Sequence, residues 1–162
     1  MKKCVFAGTF DPPTVGHEDV VKKCLRLFDE VVVAILVNPQ KIALFTVEER
    51  LTLLNKLFAG EPRVRVRTFG GAAVDLLKEE DTPFYVRGVR DAIDFEYENR
   101  NHYASKRLMD DIITIYLPCE QSHQYVSSTL VRNSIKFKKN YADLIPAAIC
   151  ADVSAMLEDK DV

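Results

Sequence analysis

Four short segments of this 162-residue sequence carry residue types suited to gripping phosphate. The first is Gly8-Thr9-Phe10-Asp11-Pro12-Pro13-Thr14-Val15-Gly16-His17. It lies between an apolar run, Cys4 to Ala7, and a stretch of helical periodicity, Asp19 to Phe28. A strand, a turn and a helix opening on Gly-His bring unpaired backbone N–H groups and the positive end of a helix dipole to one point. Gly16 lets an anion come close to the backbone, and His17 adds one side-chain N–H. The second segment, Asn38-Pro39-Gln40-Lys41, offers a compact cation, and the third, Arg87-Gly88-Val89-Arg90, offers two forked ones. The glycine between those arginines argues for close approach by a ligand. The fourth runs from His123 to Thr129, where Ser127-Ser128-Thr129 forms another helix start and a second anion site. Together these groups suit nucleotide and phosphate chemistry.

Other chemistries lose weight on the same residues. The turn lacks both G-x-G-x-x-G and G-x-x-x-x-G-K-[ST], which disfavours ordinary dinucleotide dehydrogenases and P-loop kinases. Cys4, Cys24, Cys119 and Cys150 form no C-x-x-C pair, so neither a zinc nor a thioredoxin pattern is present, and no structural disulfide is expected. A formal net charge of −2 gives no global field for nucleic acid. Met1-Lys2-Lys3 leads straight into the first strand with no h-region, and no apolar run approaches the roughly 20 residues of a membrane helix. A cytoplasmic protein without membrane or nucleic-acid partners is the expectation.

The elements that must position these segments alternate from the start. Residues 3–7 read as strand and 17–28 as helix, with Val20, Val21, Cys24, Leu27 and Phe28 at helical spacing. Val31 to Val37 is a continuous apolar run, as in a central parallel strand covered on both faces. Thr46-Val47-Glu48-Glu49 has the capping-box form and opens a helix to about Ala59, stopped by Gly60 and Pro62. Residues 64–67 alternate like a strand near an edge, 72–80 form a short helix, and 84–86 a fourth strand ending at Arg87-Gly88. A long helix spans 91–109, a fifth strand 112–117, a helix 129–138 capped by Ser127 or Ser128, and a last helix 146–157. The order predicts a Rossmann-like, doubly wound, five-stranded parallel sheet with helices on both faces. One domain, 1–162, holds it all, with residues 158–162 frayed. In such sheets ligands bind beyond the carboxyl ends of the strands, where all four segments fall.

G-T-F-D-P-x-T-x-G-H resembles the signature of the T/H-x-G-H nucleotidylyltransferases, and further segments resemble their phosphopantetheine adenylyltransferase family. Asn38-Pro39-Gln40-Lys41 with Phe45-Thr46 and Glu48-Glu49-Arg50 is similar to N-P-x-K…F-T-x-E-E-R. Val86 to Arg90, Asp94-Phe95-Glu96-Tyr97-Glu98 and Val126 to Arg132 are similar to R-G-[LV]-R, D-F-E-Y-E and I-S-S-[ST]-x-V-[RK]. The resemblance covers Lys3 to about Pro146. It implies attack of the 4′-phosphate of phosphopantetheine on the α-phosphorus of ATP, without a covalent intermediate. A phosphate monoester is already a nucleophile, so positioning and charge stabilisation suffice.

The resemblance also implies roles. His17 stabilises the transition state, helped by Lys41 and Arg90. Thr9, Phe10, His17, Gly88, Val89, Arg90, Glu98 and the run His123, Gln124, Tyr125, Val126, Ser127, Ser128 and Thr129 serve ATP. Thr9, Lys41, Ala73 and Arg87 serve phosphopantetheine, although Gly71-Ala72-Ala73-Val74 replaces bulkier residues usual there. Mg²⁺ comes with ATP, held by its phosphates rather than by a carboxylate cage, and Asp11 shapes the turn. His102 is structural. A homohexamer and feedback by coenzyme A are further expectations. Two alternatives stay open. Pro12-Pro13 resembles F-D-P-P-H-x-G-H of nicotinate-mononucleotide adenylyltransferases, although Thr14 stands where they have histidine. The other is a non-catalytic nucleotide-binding module.

Overall fold

A computed structural model describes every residue from Met1 to Val162. Strands β1 (Lys3–Gly8), β2 (Glu30–Leu36), β3 (Val64–Phe69), β4 (Phe84–Val89) and β5 (Ile113–Pro118) form one parallel sheet in the order β3-β2-β1-β4-β5. Helices α1 (Val15–Cys24), α2 (Val47–Leu57), α3 (Ala73–Glu79), α4 (Ala92–Lys106), α5 (Ser128–Lys136) and α6 (Ala147–Glu158) complete an α/β doubly wound domain.

Side chains alternate across a strand, so a central strand must be apolar on both faces. Cys4 and Phe6 of β1 pack with Val31 and Val33 of β2 beneath Val20, Val21 and Cys24 of α1. Val5 and Ala7 face the other way, with Val32 and Ala34, onto Val74, Leu76 and Leu77 of α3. A third apolar cluster joins α2, α5 and α6 through Phe45, Leu53, Val131, Ile135, Ile149 and Val153. The alternating β3 is an edge strand, as its pattern predicts. On the far side α4 buries none of its residues, and Ile93, Tyr97 and Tyr103 stand exposed along it.

Several boundaries move. The first helix begins at Val15, not at residue 17, because Thr14 is its N-cap, and it ends at Cys24 rather than at 28. Strand β4 runs on to Val89, so Arg87 and Gly88 are strand residues, paired with Tyr116 and Leu117. The long helix stops at Lys106 instead of 109, and Pro146 is the N-cap of the last helix rather than part of its first turn. The tail is held further than the expected fraying point: Glu158 closes α6, and the Lys160 ammonium lies 2.8 Å from the Glu49 carboxylate. No helix is long and apolar enough to cross a membrane.

Candidate active site

Strand order reverses direction between β1 and β4, and there the sheet opens. The two strands pair only at Val5–Tyr85 and Phe6–Val86. Beyond Phe6 they part, and the Arg87 guanidinium spans the gap, donating to the Ala7 carbonyl at 2.5 Å. A cavity of about 330 Å³ begins at this split and is walled by the ends of β1 and β4, the start of α1 and the start of α5. Four cationic side chains line it, Lys41, Arg87, Arg90 and Arg132, against two carboxylates, Asp94 and Glu98. Ligands of open α/β sheets sit at such a switch point.

His17 is the third residue of α1, and its ring performs the reach-back of a capping box. The Thr14 backbone N–H donates to Nδ1 at 3.0 Å, while the His17 N–H donates to Thr14 Oγ1 at 3.3 Å. A histidine thus occupies the position that Glu or Gln usually takes in this motif. Because Nδ1 accepts, the ring proton of neutral His17 sits on Nε2. Burial first, and then the charges of Arg87 and Arg90, push its pKa down to about 4. Near neutral pH only about one molecule in a thousand carries the imidazolium. The half-buried ring lines the cavity with one N–H to donate, packed edge-on against Phe10 at 4.8 Å between centroids. Phe10 takes a left-handed backbone, φ 52°, which costs about 1 kcal/mol in a residue with a side chain. Burial of its ring beside Phe6 and His17 holds it there.

The two arginines of the third segment are not free cations. Arg87 makes a fork to Glu98, Nε to Oε2 at 2.9 Å and Nη2 to Oε1 at 2.8 Å, and also donates to the Tyr85 hydroxyl at 3.1 Å. Arg90 Nε donates to Asp94 at 2.9 Å, and the Arg90 backbone N–H reaches the same carboxylate at 3.1 Å. Glu98 and Asp94 stand one helical turn apart on α4, so the D-F-E-Y-E segment is the counter-charge of the R-G-V-R segment. Gly88 has a packing cause beside the one its sequence suggests. A Cβ there would come within 2.9 Å of Val20 Cγ2, so its smallness lets α1 pack on β4. The residue lines the cavity all the same.

At α5 the hydroxyls of the Ser-Ser-Thr start are spent within the protein. Ser127 Oγ caps the helix by accepting from the Leu130 N–H at 3.0 Å, Ser128 Oγ donates to the Pro12 carbonyl at 2.8 Å, and Thr129 Oγ1 accepts from Arg132 at 3.1 Å. What the helix start presents to an anion is its backbone N–H groups at Ser128 and Thr129, which have no partner in the preceding turn. Thr9, Phe10, His17, Lys41, Arg87, Gly88, Val89, Arg90, Glu98, His123, Val126, Ser127, Ser128 and Thr129 all line the cavity. Three expected residues stand apart. Gln124 and Tyr125 are exposed outside its wall, and Ala73 opens α3 at the carboxyl end of β3. His102 pairs with Thr114 Oγ1 at 2.8 Å, well within a structural role.

Arg132 and Cys119 line the cavity although their residue types alone single out neither. Arg132 lies one turn after Ser128 on the same face of α5 and donates to the Asp11 carbonyl at 2.7 Å. That spacing is a readable signal. Cys119 follows β5, and only the rule of carboxyl-end loops points to it. No cluster of three His, Cys, Asp or Glu side chains is placed to hold a metal ion. Both Asp11 carboxylate oxygens are occupied by backbone N–H groups of Leu44 and Phe45.

The cytidylyltransferase-like family model matches residues 5–134. The chain is 39% identical over 149 residues to a phosphopantetheine adenylyltransferase of Flavobacterium johnsoniae, covering 92% of this chain and 97% of that one. Over 160 residues it is 38% identical to a Clostridium tetani protein of the same name, covering 99% and 100%. Among solved structures, a candidate nicotinate-nucleotide adenylyltransferase from Vibrio parahaemolyticus superposes with a TM-score of 0.71 at 21% identity, over 98% of this chain and 93% of that one. At that identity the likeness establishes a shared fold.

Proposed function

The chain belongs to the cytidylyltransferase-like family and, within it, to the phosphopantetheine adenylyltransferases, and from that premise we propose that it joins ATP to 4′-phosphopantetheine, giving dephospho-coenzyme A and pyrophosphate. The observation that carries the proposal is the convergence of Thr9, His17, Lys41, Arg90 and the α5 start on one cavity at the β1/β4 split. A 4′-phosphate oxygen attacks the α-phosphorus in line. The bond from that phosphorus to the β-bridging oxygen breaks, and pyrophosphate departs with the electron pair. No side chain forms a bond to phosphorus, so the protein's work is alignment and charge stabilisation.

In this scheme the Nε2–H of His17 meets the α-phosphate oxygen on which charge grows, in a neutral form that persists across the physiological range. Lys41, exposed on its loop and without an ion-pair partner, neutralises the attacking phosphate. The α5 N–H groups and Arg90 receive the β- and γ-phosphates. Arg87, braced by Glu98, presents its remaining N–H to the phosphate of phosphopantetheine. Mg²⁺ enters as part of the nucleotide substrate, coordinated by its phosphates. Gln124 and Tyr125 frame the adenine from outside the wall, and the pantetheine arm leaves toward Ala73. Coenzyme A, which shares that arm, would compete there. The unburied face of α4 supports self-association, for which we propose the homohexamer. Four free cysteines fit a reducing cytoplasm.

The test offers purified protein ATP and Mg²⁺ with either phosphopantetheine or nicotinate mononucleotide and follows pyrophosphate. Release with phosphopantetheine is expected. Release with the mononucleotide alone would transfer the assignment to that substrate, and release with neither would leave a binding module.

A further inference from the structure

Two buried charges beside the cavity are unpaired with each other and are spent on backbone instead. The Asp11 carboxylate, 4% exposed, accepts the N–H of Phe45 at 2.8 Å and that of Leu44 at 2.9 Å. The Arg50 guanidinium, on a residue 5% exposed, donates from Nε to the Phe45 carbonyl at 3.0 Å and the Thr46 carbonyl at 3.2 Å, and from Nη1 to the Thr9 carbonyl at 2.9 Å. Arg132 steadies Asp11 through its carbonyl and stands 3.8 Å from its carboxylate. Residues 44–46 are thereby gripped from both sides by the turn that carries Thr9 and the helix that carries Arg50.

Lys41 lies three residues upstream of that grip. From Asn38 to Ala43 the hydrogen bonds stay inside the loop, Lys41 N–H to Asn38 O at 3.1 Å and Gln40 N–H to Asn38 Oδ1 at 3.0 Å. Ile42 is 99% exposed, so no packed side chain anchors the tip. The loop has two fixed ends, the exit of β2 and the clamp at Leu44 to Thr46. Burying a carboxylate and a guanidinium without pairing them to each other is expensive, and here the cost is offset by five charge-assisted hydrogen bonds to main chain and, for Asp11, by the Arg132 guanidinium 3.8 Å away. We infer that Asp11 and Arg50 are positioning residues that hold Lys41 at the distance from Thr9 that the attacking phosphate needs. The inference rests on the substrate assignment above for its kinetic consequence, though not for the clamp itself.

The clamp is read without any substrate by hydrogen exchange. In Asp11→Asn an amide N–H₂ would face a backbone N–H, so exchange should quicken across residues 38–46 while α1 and β1 keep wild-type protection. The kinetic arm compares Asp11→Asn in the wild-type and Lys41→Ala backgrounds. Alone it should lower kcat/KM for phosphopantetheine by about tenfold, with the KM for ATP within about twofold. On Lys41→Ala it should add less than about twofold, because the two positions act through one group. Arg50→Lys, which keeps the charge but loses the fork, should repeat the pattern more weakly, and it carries the cycle if Asp11→Asn does not fold. Unchanged exchange at 38–46, or the same tenfold loss with Lys41 already removed, would overturn the inference. A wild-type protein inactive with phosphopantetheine would instead refute the substrate, leaving the exchange result to judge the clamp.

Discussion

In the proposed scheme His17 does two jobs that ordinary alanine replacement cannot separate, and a pair of variants can. Its Nδ1 caps Thr14, a residue 2% exposed, and its Nε2–H faces the cavity. His17→Ala removes both, leaving a buried N–H without a partner at a cost of about 1–2 kcal/mol. His17→Glu restores the usual capping-box residue, whose carboxylate accepts the Thr14 N–H and suits the helix N-terminus. It offers no proton to a phosphate. Loss of one donor aimed at developing charge lowers kcat by about 10²–10³. Both variants should therefore fall at least a hundredfold in kcat, measured by continuous pyrophosphate release at saturating substrates. Only the alanine variant should lose stability in urea unfolding. A glutamate variant within tenfold of wild-type kcat would show that the histidine serves the helix start rather than the reaction.

Two further outcomes follow from named contacts. Acid should destabilise the protein beginning near pH 6.5. His17 has a folded pKa of about 4 against an ordinary 6.5, so the unfolded chain binds that proton first, and stability falls as pH drops through this window by up to about 1.4 kcal/mol per unit. Glu80 adds to this lower down. Burial pushes its carboxyl up, but Arg65, Arg67 and Lys3 hold it at about 2, and its contribution is lost as pH falls from 4.5 toward that value. Unfolding midpoints of wild type and His17→Gln should lie close together near pH 7 and separate below pH 6.5, with wild type falling faster, and parallel curves would contradict the reading. Gly88→Ala should cost about 1–3 kcal/mol by overpacking against Val20, and Val20→Ala in the same chain should recover most of it. A Gly88→Ala protein as stable as wild type but inactive would mean that the glycine serves the ligand after all.

The strands and helices were legible because each is a local pattern. The apolar run at Val31 to Val37, the capping box at Thr46 to Glu49 and the alternation at Val64 to Arg67 need no distant partner to be read. The phosphate-suited segments were legible too, since backbone N–H groups at helix starts and cations at strand ends follow from chain order. Boundaries slipped where a side chain decided them. Thr14 and His17 cap each other, which moves the helix start two residues upstream. The meaning of several site residues came from across the fold. Gly88 is small because Val20 stands over it, Arg87 and Arg90 face the carboxylates of α4, and the serines of α5 are bonded to Pro12 and to their own helix. What the amino-acid sequence alone determined is the family, the alternating architecture and the end of the sheet at which the four segments gather. The tertiary structure alone decided which hydrogen-bonding groups remain free to meet a substrate, because a donor's availability depends on every neighbour that folding brings to it.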